Sequence, residues 1–105
     1  MIGTLKNVLT YFINIERVKI MSDMNYAEKA IDMLVKEFAR AQSLHGDFHS
    51  LHEGYAALLE KQDELWDLLK KKRPDLDEVI DEAIQVSAMG YKIAIYAMKM
   101  RAAKT

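Results

Sequence analysis

Two acidic stretches of the chain could gather a cation. In the first, His52–Trp66, HEGYAALLEKQDELW, a helix turning about 100° per residue sets Glu53, Glu60, Glu64 and Asp67 on one stripe. In the second, DEVIDEAIQVSAMGYK, Glu78, Glu82 and Gln85 share one edge. Carboxylate and amide oxygens converging from two helices would make a hard-ligand site suited to Mg²⁺ or Mn²⁺. The same stripe on an isolated helix is only a wetted face. Glu53 and Glu78 also stand three residues after the capping candidates Ser50 and Asp75, which accounts for both without a ligand. Glu82 is the informative acid, because Val86, Met89 and Ile93 beside it are apolar. A desolvated carboxylate there must find a hydrogen-bond donor, take a proton or bind a cation.

Other reactive side chains carry weaker signals. His45, His49 and His52 are spaced for Zn²⁺ on a helix, but Gly46, Asp47 and Ser50 make their segment a loop. The basic run Lys70–Arg73 falls at a helix C-terminus, where it satisfies exposed carbonyls and the dipole. Trp66 lies beside Leu59 on the apolar side of its helix and is expected to pack in the core rather than stack a base.

These residues need helices to hold them, and the composition supplies little else. The chain has 105 residues, half of them hydrophobic, with one Pro and four Gly, and its common residues are helix formers. Fifteen basic residues balance sixteen acidic ones, so no global field recruits nucleic acid or an anionic membrane. The absence of cysteine excludes disulfides and thiolate chemistry and accords with a cytoplasmic protein. No apolar run reaches the roughly 20 residues of a membrane span.

Three helix starts share a capping residue followed by Glu, at Asn25 and Glu28, Ser50 and Glu53, and Asp75 and Glu78. The first helix is expected over 26–43, with Ala27, Ile31, Leu34, Phe38 and Ala41 as its apolar stripe. The second is expected over 51–72, burying Leu51, Tyr55, Leu58, Leu65 and Leu69, with Pro74 as its stop. The third, over 76–103, is apolar nearly all round. Residues 1–24 read as an N-terminal helix or extension ahead of a helical domain over 25–105. The expected fold is all-α, a small bundle of three main helices. A chain this short gives its third helix too little cover, so a four-helix-bundle-like core assembled by dimerisation, or a tetramer, is expected, with methionines as adaptable packing.

The residues HEGYAALLEKQDELWDLLKKK and DEAIQVSAMGYK, within 48–92, resemble the MazG-like nucleotide pyrophosphohydrolases of the all-α NTP pyrophosphatase superfamily. The resemblance implies a signature E-E-x-x-E on one helix and E-x-x-D on the next, holding Mg²⁺. It also implies cleavage of a nucleoside triphosphate to a monophosphate and pyrophosphate. Carried over, the signatures fall on Glu60 to Glu64 and on Glu82 to Gln85. Glu60, Glu64 and Glu82 would then be the catalytic carboxylates and metal ligands, with Gln85 ligating through its carbonyl and Glu53 supplying a further carboxylate. Lys92 and His52 would face the substrate.

Two positions depart from the signatures: Lys61 replaces an acid and Gln85 replaces an Asp. An ammonium is no metal ligand and repels a cation. Either Glu53 completes the metal set, or Lys61 contacts a substrate phosphate, or the site has decayed. The last case leaves an impaired nucleotide binder or a purely structural interaction module.

Overall fold

The computed structural model describes residues 2–104, with side chains from residue 6 onward. It contains three helices, α1 (Ile2–His45), α2 (Leu51–Leu69) and α3 (Leu76–Ala103), and no strand among the described residues. No helix is long and apolar enough to cross a membrane among the described residues. The all-α reading holds, and α3 has the expected bounds. Residues 2–31 and 32–104 belong to two compact units.

The first unit is a stretch of α1. Asn25, expected to start a helix, lies inside one. The capping pattern is present, but neither Gly nor Pro occurs between Thr4 and His45, so nothing breaks the backbone ahead of Asn25. Tyr11 and Phe12 meet edge to face at 6.0 Å. Both are exposed, as are Ile13, Val18 and Met21.

The second unit holds the core. Ala41, Phe48, Ala88 and Met89 are buried, with Leu34, Leu58, Ile93 and Tyr96 packed against them. Phe38 of α1 meets Tyr91 of α3 edge to face at 5.0 Å. Gly46 ends α1 with φ +68, a left-handed turn that glycine adopts without penalty. Its N–H donates to the Gln42 carbonyl at 2.8 Å.

The loop that follows is tied to α3. Lys92 Nζ donates to the Gly46 carbonyl at 3.0 Å and lies 4.5 Å from the Phe48 ring centroid. Lys99 donates to both Asp47 carboxylate oxygens at 3.0 Å, and Gln42 also bonds Asp47.

The face that α2 turns inward differs from the expected one. Leu58 and Leu65 are partly covered, but Leu51, Tyr55, Leu59, Trp66 and Leu69 are exposed, Trp66 at 61 %. The cause is Gly54. A Cβ there would come within 2.9 Å of Ile93 Cγ1 and 3.0 Å of Phe48 Cδ2, so α2 approaches by its small residues and turns its bulky stripe away. Helix α2 also ends at Leu69, earlier than Lys72, because the Lys70 and Lys71 N–H groups bond the carbonyls of Trp66 and Leu68 in a closing turn.

Candidate functional site

Two caps set the phase of the helices that carry the acids. The Ser50 hydroxyl accepts from the Glu53 N–H at 3.0 Å. The Asp75 carboxylate accepts from the Asp77 and Glu78 N–H groups at 2.9 and 3.4 Å. Each cap satisfies N–H groups that have no partner within the helix. Helices α2 and α3 then pack along one another, and this brings Glu64 to Glu82.

Glu64, Glu82 and Gln85 line one cleft of about 430 Å³, with Asp81 and Glu78 also on its wall. Glu82 is partly covered. Its Oε2 is buried and has no hydrogen-bond partner among the described residues. Burial, next the neighbouring Glu64 charge, and then a hydrogen bond that the protonated carboxyl makes to Glu64 push the Glu82 carboxyl above the usual carboxylate range, while the Lys61 ammonium pulls weakly the other way.

Lys61 Nζ is paired with Glu64 Oε2 at 3.2 Å, with the two side chains 29 % and 41 % exposed. The residue that departs from the expected signature is therefore the counter-ion of Glu64. On the α1 side, Arg40 grips Glu37 through both carboxylate oxygens at 2.6 and 2.9 Å. That hydrogen bond holds the Glu37 carboxyl below its ordinary range despite opposing burial, and the charges of Arg40 and Lys61 add to it.

A second cavity of about 440 Å³ is lined by Arg40, Phe48, Glu53, Glu60, Lys61 and Lys92 among others. The expected ligand set is thus divided. Glu64, Glu82 and Gln85 share the first cleft, whereas Glu60 and Glu53 line the second cavity. Glu53 is held by His49, whose backbone N–H and ring Nδ1 lie 3.3 and 3.0 Å from Glu53 Oε2. Lys92 is engaged by the Gly46 carbonyl and the Phe48 ring, with 4 % of its surface exposed. His52 is exposed in the first turn of α2.

Glu37 and Arg40 escaped the sequence reading. Their signal was position: Glu37 stands three residues after Leu34 and four before Ala41, on the stripe that faces the core.

Among the described residues, no group of three or more His, Asp or Glu is arranged as a ready-made metal cage. The donors do fit a hard cation of the Mg²⁺ kind, which commonly takes one or two carboxylates and keeps waters for its other positions. The unpartnered Glu82 oxygen beside Glu64 is the feature such an ion would complete. Comparison with family models, curated proteins and solved structures returned no match.

Proposed function

We propose that the chain is a Mg²⁺-dependent nucleoside triphosphate pyrophosphohydrolase, releasing a nucleoside monophosphate and pyrophosphate. The observation that carries this reading is the buried, unpartnered Glu82 Oε2 next to Glu64 across the α2–α3 cleft. A carboxylate held that way costs stability, and a cation binding there would offset the loss. The MazG-like spacing of Glu64 and Glu82 supports the same reading, while Glu60 lines the second cavity.

Glu64 and Glu82 would hold Mg²⁺, or Mn²⁺, through carboxylate oxygens, with Gln85 contributing its carbonyl. The ion, when bound, supplies neutralisation of phosphate charge and a more acidic water. Asp81 and Glu78, exposed on the cleft wall, are carboxylates that would be placed to accept the proton of an attacking water. Water adds to the α-phosphorus, the bond from that phosphorus to the bridging oxygen breaks, and pyrophosphate departs with that oxygen. Arg40 and Lys61, on the second cavity, are cations that would meet the remaining phosphates.

A second copy of the chain would cover Leu51, Tyr55, Leu59, Trp66 and Leu69, which α2 leaves exposed in a row at helical spacing. This supports a homodimer or homotetramer as the working form.

The Lys61–Glu64 ion pair supports a second reading, a nucleotide-binding bundle that no longer turns over. Pyrophosphate release from a panel of nucleoside triphosphates, with and without millimolar Mg²⁺, separates the two. The enzyme reading expects metal-dependent release that is lost in Glu82→Gln. Nucleotide binding with no turnover for any triphosphate would select the second reading.

A further inference from the structure

We infer that Lys61 is a tethered competitor for the metal, its ammonium occupying the Glu64 carboxylate until a divalent ion displaces it. This rests on the reading of the Glu64–Glu82 cleft as a metal site.

Geometry supports it at three points. The Lys61 Nζ to Glu64 Oε2 distance is 3.2 Å, so an oxygen that a metal requires already has a cation against it. The unpartnered Glu82 oxygen lies in the same cleft as Glu64 and receives no hydrogen bond from Lys61. The ammonium therefore serves one of two carboxylates, whereas a divalent ion would serve both. Lys61 also lines the second cavity, so its side chain has a solvated space to enter once Glu64 is taken.

Metal entry then meets two obstacles, breaking the ion pair and placing a divalent charge near an ammonium. The pair is partly exposed, with side chains 29 % and 41 % accessible, so its own contribution is small. Repulsion between the two cations in a partly screened cleft is the stronger of the two. Together they set an expected gain of about tenfold in divalent affinity when the charge is removed.

The test is a calorimetric titration of Mn²⁺ alone into the full chain and its variants. Lys61→Met keeps the apolar stem and removes the charge, Lys61→Gln retains a donor for Glu64, and Lys61→Arg keeps the charge. The expected result is binding about tenfold tighter in Lys61→Met and Lys61→Gln and unchanged within about threefold in Lys61→Arg. Adding Glu82→Gln to Lys61→Met should cancel the gain. Circular dichroism on each variant checks that the helices are intact, and the Gln variant carries the test if the Met variant does not fold. Equal affinity in the native chain and the neutral variants would overturn the inference while leaving the metal reading in place. No Mn²⁺ binding at millimolar concentration in any variant would overturn both.

Discussion

Glu82→Gln should stabilise the protein at neutral pH and, under the proposed function, abolish metal-dependent turnover. The Glu82 Oε2 is buried without a partner, and burial followed by the Glu64 charge raises its carboxyl above the ordinary range. The native state therefore holds the Glu82 proton to higher pH than the unfolded chain. Below the unfolded value of about 4.3 both states are protonated and the penalty is absent. As pH climbs through the raised native value, the buried charge appears and stability falls. A buried polar group without a partner costs about 1–3 kcal/mol. Partial cover of Glu82 lets water screen it and sets the expectation near the lower end. An amide at this position carries no charge and can donate to Glu64. The variant should thus gain about 1 kcal/mol at pH 7, a rise of about 4–8 °C in Tm for a domain near this size, and nothing near pH 4. Thermal melts at the two pH values, at fixed protomer concentration and without divalent ions, measure it. An equal Tm difference at both pH values, or a loss at pH 7, would refute the argument from burial.

Gly54→Ala should destabilise even though alanine favours helix by about 1 kcal/mol. The added methyl meets Ile93 and Phe48 at 2.9 and 3.0 Å, and overpacking of this kind costs about 1–3 kcal/mol, so urea denaturation should show a net loss of up to about 2 kcal/mol. Lys92→Met keeps the apolar stem but strips the Gly46 carbonyl of its donor and the Phe48 ring of its cation, with an expected loss of about 1–2 kcal/mol in the same assay. Under the proposed self-association, Trp66→Glu, at a position 61 % exposed, should leave helicity unchanged by circular dichroism and shift sedimentation toward the monomer; identical sedimentation of native and variant chains would refute an interface on this face of α2.

The starts of α2 and α3 were legible because a cap is local chemistry: Ser50 and Asp75 bond N–H groups two or three residues away. Asn25 carries the same pattern and starts nothing, since a cap requires a break ahead of it and the nearest breaker upstream is Gly3. The inward face of α2 was misread for a different reason. Hydrophobic periodicity favours the face with most Leu and aromatic side chains, whereas packing here follows the closest approach, which Gly54 permits. Glu64 and Glu82 were legible as candidates from spacing alone. Their meeting, and the entry of Lys61 between charges on three helices, depends on helix phase and contact distance that no single helical wheel contains.

That placement changes what Lys61 means. Read along the chain, it interrupts the acidic signature that the MazG-like resemblance implies. Read across the fold, it answers a charge problem that the signature creates, because two carboxylates brought together in a partly dry cleft repel one another in the apo chain. One ammonium relieves Glu64 and leaves the Glu82 Oε2 without a donor. Full neutralisation would secure the apo fold but remove the incentive to bind a cation; no neutralisation would make folding depend on the ion. A single lysine against two acids stands between these limits. The chain can then fold without an ion, and under the proposed function one buried oxygen retains the demand that a divalent ion would meet.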